Sequence, residues 1–136
     1  MNKKLVIYLT TPYSLKIKSK ELNMTRPDYL EQDKEIRQKR FEAVNEVAGK
    51  LIEAGFAVIS PISQSHPIIQ GNFTGAFDEW DDINCNLLSR CDMVFVFCQD
   101  GWEKSSDTQK EVTFAINAKI PVMKIDEDLK ILGIQS

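Results

Sequence analysis

Four short apolar runs, at residues 5–9, 56–59, 93–97 and 121–125, are separated by stretches with helical periodicity. A continuous apolar run of this length fits a strand covered on both faces. Strands alternating with helices point to a parallel sheet joined by right-handed crossovers. The expected fold is therefore α/β and Rossmann-like, in a single domain spanning residues 1–136, a length that suits one core.

Between the runs, a helix is expected from about Leu30, with Ile36, Phe41, Val44, Val47, Ala48, Leu51 and Ile52 on its apolar face. Gly55 is placed to cap its end. Residues 15–30, with Pro27, read as an insertion or lid. Residues 62–75 read as a long loop, and residues 77–88 as a helix with Phe77, Trp80, Ile83, Leu87 and Leu88 on one side. A last helix, capped by Ser106 or Asp107, should run to about Ala118, with a short tail helix after the fourth strand.

The net charge of −3 gives no sign of a polymeric nucleic-acid or membrane surface. Lys16, Lys18 and Lys20 are followed at once by Glu21 and read as a solvated loop. Cys85, Cys91 and Cys98 lack metal-ligand spacing, and the one histidine, His66, lies far upstream, so no metal is expected. They read as buried or half-buried thiols of a reducing compartment. With no apolar run near the roughly 20 residues that span a bilayer and no signal-peptide pattern, a cytoplasmic location is expected. Glycine-rich dinucleotide and phosphate-loop motifs are absent.

Open α/β sheets bind ligands at the carboxyl ends of their strands. Three polar loops should meet there: Thr10, Thr11, Pro12, Tyr13 and Ser14; residues 60–66, with Ser63 and His66; and residues 100–106, with Gly101, Trp102, Ser105 and Ser106. The helix starting near Asp107 aims its amino end at the same place, where an anion such as phosphate is stabilised, although serines there equally serve as plain caps. Glu111 lies about one turn into that helix, where the positive end should favour ionisation. A carboxylate beside a sugar can attack the anomeric carbon, whereas on charge pattern alone Glu111 is an ordinary solvated residue. Asp78, Glu79, Asp81 and Asp82 flank Trp80 and either supply a general acid or merely decorate a helix start. Tyr13 and His66 are placed to contact sugar or base, though a lone histidine before Pro67 is commonly structural. Trp80 and Trp102 stack on a base or fill core.

Taken in order, these residues resemble the nucleoside 2-deoxyribosyltransferase superfamily, in particular a branch of small bacterial and phage proteins similar to nucleoside 5′-monophosphate N-glycosidases. The resemblance rests on Tyr8-Leu9-Thr10-Thr11-Pro12-Tyr13-Ser14, Arg40-Phe41-Glu42-Ala43-Val44, the stretch from Gly55 to His66, Arg90-Cys91-Asp92, Gly101-Trp102-Glu103-Lys104-Ser105 and Glu111. It covers the chain except residues 15–30 and the tail. It implies a Rossmann-like or flavodoxin-like three-layer sandwich with a mainly parallel sheet of four to five strands. It also implies cleavage of an N-glycosidic bond by a glutamate nucleophile, matched by Glu111, with the phosphate against Ser105 and Ser106. Two positions depart from the family pattern. Asn84 stands where an aspartate usually handles the base, and an amide cannot deliver a proton. Asp107 stands where a glycine is frequent, and would repel phosphate unless turned outward.

The leading expectation is a nucleotide N-glycosidase. Its catalytic residues would be Glu111, Tyr13 and Asp82, with Asp81 an alternative to Asp82. Its substrate-binding residues would be Thr11, Pro12, Ser14, Ser63, His66, Asn84, Gly101, Trp102, Ser105 and Ser106. No metal or organic cofactor is expected, and the resemblance implies a homodimer or higher homo-oligomer. A base-exchanging deoxyribosyltransferase and a non-catalytic nucleotide-binding or sensing protein are the alternatives.

Overall fold

The computed structural model describes residues 3–14, 25–71 and 77–135. Its elements follow in the order β1 (Val6–Thr10), α1 (Arg26–Glu53), β2 (Ala57–Ile59), α2 (Pro61–Gln70), α3 (Phe77–Leu88), β3 (Met93–Phe97), α4 (Ser106–Asn117), β4 (Val122–Ile125) and β5 (Ile131–Gln135). A short 3₁₀ turn at Trp102–Lys104 precedes α4. The described strands form one sheet in the order β2-β1-β3-β4-β5. The first four are parallel, and β5 runs antiparallel to β4. This is the doubly wound, flavodoxin-like order.

Alternation along the strands sends side chains to two cores. Ile7, Leu9, Phe95, Phe97 and Ile125 pack against Val44, Val47, Ala48 and Leu51 of α1. Tyr8, Val94, Val96 and Val122 face the opposite way, toward Leu88 of α3 and Val112 and Ala115 of α4. Because β2 and β3 flank β1 on opposite sides, the chain reverses its direction of travel at β1/β3, and a crevice opens above the carboxyl ends of those two strands.

Three expected elements differ. Helix α1 begins at Arg26, four residues before Leu30, with Thr25 Oγ1 accepting from Asp28 N at 3.3 Å and a proline in its first turn. Its first turns extend over the crevice rather than over the core, with Tyr29 and Leu30 lining it beside Asp33 and Arg37. Residues 61–70 are helical rather than looped. Pro61 at the first turn is pre-set for a helix, and Pro67 sits inside one of only ten residues. The tail after β4 is a strand, because Asp126 builds a reversal. Its Oδ1 accepts from Asp128 N and Lys130 N, each at 2.9 Å, and returns the chain onto β4. The expected lid falls largely on residues 15–24, outside the described residues.

Gly55 ends α1 as expected. With φ of 103° it lets Phe56 N reach Leu51 O at 3.1 Å and Gly55 N reach Ile52 O at 3.0 Å, a Schellman arrangement. The same pair of bonds ends α4 around Lys119, whose φ is 61°. A side chain in the left-handed region costs about 1–2 kcal/mol. Gly55→Ala is therefore expected to lower stability by about 1 kcal/mol and Lys119→Gly to raise it by less than that, since glycine loses more chain entropy on folding. Urea unfolding of the two variants measures both.

Candidate active site

A cavity of about 500 Å³ lies at the β1/β3 crevice. Thr10, Thr11, Tyr13 and Ser14 enter it from the end of β1. Asp33 and Arg37 come from α1, Ser65 from α2, Trp80, Asp81 and Asn84 from α3, and Ser106, Asp107, Lys110 and Glu111 from α4. Of the three loops expected to converge, the first contributes directly and the second does so as a helix. The third contributes only its end, Ser106.

Glu111 has its carboxyl group buried at the cavity wall with its pKa raised. Val112 next to it packs against the sheet with Tyr8, Thr108 one turn earlier is buried, and the carboxyl group faces Tyr8 and Thr10 of β1. Oε2 is buried and closes no hydrogen bond among the described residues. The Tyr8 hydroxyl beside it is likewise buried without a well-formed bond. Some surface of Glu111 stays open to the cavity. Burial is the largest influence on its titration and pushes the pKa up to about 7. The Tyr8 and Thr10 hydroxyls oppose that shift, while Asp107 and Asp81 add to it. The positive helix end was expected to favour ionisation, but burial outweighs it. Glu111 in turn, after burial, helps hold the Tyr8 hydroxyl in its protonated form.

Tyr8 was missed at the sequence level because it lies in an apolar strand. A phenol in an otherwise aliphatic run is the one available signal, since its hydroxyl needs a polar neighbour. Arg37 and Asp33 were also missed. They pair at 2.9 Å one turn apart on α1, and the Arg37 guanidinium lies 5.1 Å from the centroid of the Tyr13 ring. In sequence they look like any solvated helical pair.

The other expected residues separate into two groups. Thr11, Tyr13, Ser14, Asn84 and Ser106 line the cavity with Glu111. Ser14 Oγ is buried without a partner among the described residues and is thus available to a ligand. Thr11 is committed to the fold: its hydroxyl donates to Phe97 O at 2.8 Å and accepts from Gln99 Nε2 at 2.9 Å, tying β1 to the end of β3.

Pro12, Ser63, His66, Asp82, Gly101, Trp102 and Ser105 do not line the cavity. Asp82 is on the exposed side of α3, and Asp81 takes the inward position, 3.3 Å from Lys110 Nζ. Ser63 bonds Ser60 and Asn45 at the start of α2. His66 is 2% exposed and stands behind Tyr13, bonded to its hydroxyl. Ser105 caps α4, accepting from Thr108 N at 3.4 Å. Asp107 lines the cavity rather than turning away as the cap. Gly101, with φ of 82°, starts the 3₁₀ turn, and Trp102 packs on the α3/α4 side of the sheet. Arg40 ties this segment to the first loop, donating to Asp100 O at 2.9 Å and Ser14 O at 2.8 Å.

Among the described residues no cluster of three His, Cys, Asp or Glu side chains is arranged to hold a metal ion. No described helix is long and apolar enough to cross a membrane. Cys91 is buried, and Cys85 and Cys98 are half-buried free thiols.

Fold and cavity together define a flavodoxin-like α/β domain with a carboxyl-lined pocket at its topological switch point. Residues 5–127 match the family model described as Domain of unknown function (DUF1937), and the chain belongs to that family. No curated protein matches it.

Proposed function

We propose that this protein hydrolyses the N-glycosidic bond of a nucleoside 5′-monophosphate, releasing base and sugar phosphate. The observation that carries the reading is the buried Glu111 carboxyl group, with an unpaired oxygen, at the wall of a cavity large enough for a nucleotide. In its ionised form Glu111 attacks C1′ while the base departs, giving a glycosyl ester that water then hydrolyses. Tyr8 and Thr10 orient the carboxylate. The amino end of α4, with Ser106, receives the phosphate, as the sequence resemblance implies, with the Lys110 ammonium on the same wall set against the repulsion from Asp107. Trp80 and Asn84 take the base, and Asp81 is the carboxyl group in position to replace Asp82 near it. The expected cytoplasmic location and homo-oligomeric state are part of the same reading.

Incubation with a panel of ribo- and deoxyribonucleoside monophosphates, followed by chromatography for free base, tests it. No base released from any member would contradict hydrolysis. Addition of a free acceptor base separates hydrolysis from transfer, since a transferase yields a new nucleotide.

Asn84 supports a second reading, binding without turnover, because an amide in the base region supplies no proton. Asn84→Asp separates the two. A hydrolase limited by proton delivery gains about a hundredfold in base release, the low end of what a general acid contributes. A pure binding protein stays inactive while still binding nucleotide by calorimetry.

A further inference from the structure

A chain of hydrogen bonds runs from the cavity wall to the surface, and each link fixes the next. Glu42 on α1 is a carboxylate and only accepts. Its Oε1 lies 3.0 Å from Gln38 Nε2, so the amide nitrogen of Gln38 faces Glu42 and its oxygen faces inward. That oxygen lies 3.0 Å from His66 Nε2. An amide oxygen only accepts, so Nε2 carries the hydrogen. A neutral imidazole then presents a bare Nδ1, and Nδ1 is the atom bonded to the Tyr13 hydroxyl. The phenol proton therefore points at His66. Burial favours the neutral ring, with the Arg37 charge acting in the same direction, and Phe41 stacks on it at 4.3 Å between centroids.

We propose that His66 is a positioning residue that accepts a hydrogen bond from the one hydroxyl hydrogen of Tyr13, so that the Tyr13 oxygen meets a ligand solely as an acceptor and selects a donor, a sugar hydroxyl. The sugar assignment rests on the nucleotide reading of the same cavity. An anionic oxygen at this point would face the phenol lone pairs with no hydrogen between them. Arg37, the cation beside Tyr13, pairs with Asp33 and also hydrogen-bonds the Tyr13 side chain as a donor, which leaves one lone pair of the Tyr13 oxygen for a ligand. The geometry thus directs the sugar toward Tyr13 and leaves the phosphate to the α4 end of the cavity.

The chain contains one histidine, so both ring nitrogens can be observed in a long-range proton–nitrogen NMR spectrum of uniformly labelled protein without assignment. At pH 7.5 the expected result is the tautomer with hydrogen on Nε2. Tyr13→Phe should shift the Nδ1 resonance strongly and leave Nε2 protonated. Hydrogen on Nδ1, or a spectrum indifferent to Tyr13→Phe, overturns the lock, and neither observation depends on a ligand. The second arm measures binding of ribo-, 2′-deoxy- and 2′,3′-dideoxynucleoside monophosphates to Glu111→Gln. Loss of the hydroxyl that Tyr13 accepts should weaken binding about three- to tenfold, and Tyr13→Phe should abolish that difference. Equal affinities across the series overturn the sugar selection. Failure of every nucleotide to bind overturns the nucleotide reading and the sugar assignment together, while the tautomer decides the lock by itself.

Discussion

Glu111→Gln is expected to lower base release from a nucleoside monophosphate by about a thousandfold or more while leaving nucleotide affinity within a few-fold of the parent. The amide keeps the shape and the contacts of the carboxyl group but has no charge with which to attack C1′. A lost interaction made only in the transition state lowers kcat and kcat/KM together, whereas a residue that merely binds substrate raises KM. The pH profile separates two roles for the same carboxyl group. With its pKa pushed up to about 7, a nucleophile becomes competent as pH rises, so kcat/KM climbs between pH 6 and 8. A general acid would show the opposite slope. Initial rates across that range, for the parent and for Glu111→Gln, measure both effects.

The second large effect is on stability. Between the ordinary carboxyl pKa of 4.5 and the folded value of about 7, the folded chain keeps a proton on Glu111 that the unfolded chain has released. Stability contributed by the protonated form is therefore fully present below pH 4.5 and is lost as pH rises through about 7. By pH 8 the loss is on the order of 3 kcal/mol. Glutamine imitates the protonated acid at every pH. Glu111→Gln should thus be close to neutral for stability at pH 5 and raise the melting temperature by about 10 °C at pH 8. A variant that gains stability by losing a strained functional group fits the usual trade between the two. Thermal unfolding at both pH values measures it. An equal shift at pH 5 and pH 8 would mean that Glu111 is not held against ionisation.

The parts of the fold that sequence makes legible are those where burial dictates composition. Strands β1 and β3 are buried on both faces and contain little but aliphatic and aromatic residues. The core half of α1 repeats Val44, Val47, Ala48 and Leu51 at helical spacing because that half rests on the sheet. Where elements leave the core, the pattern fades. The first turns of α1 overhang the cavity, so Asp33 and Arg37 occupy positions that would otherwise be apolar. Helix α2 carries two prolines and a run of hydroxyl and amide groups, whose local preferences suggest a loop. Its Ser65 and His66 are nevertheless buried against neighbouring elements. Strand β5 depends on the Asp126 turn, a contact between residues two and four apart with no periodic signature.

The same distinction applies to the site. Glu111, Tyr13, Ser14 and Ser106 follow from topology, because strand ends and the amino end of α4 must meet at the switch point, whereas Asn84, within α3, was pointed to only by the family resemblance. Which of two adjacent acids faces inward does not follow from topology. Asp81 and Asp82 differ by about 100° around α3, and only packing decides that Asp81 turns to the cavity. His66 shows the opposite case. Its position behind Tyr13 converts an expected ligand contact into a support for one.

The most direct measurement is peptide mapping by mass spectrometry of protein quenched in acid during turnover of a nucleoside monophosphate. A sugar phosphate attached to the Glu111 side chain is the expected result, absent from Glu111→Gln. Base release with no adduct at Glu111 under conditions that trap a stable ester, or an adduct on a different residue, would contradict the role given to this carboxylate.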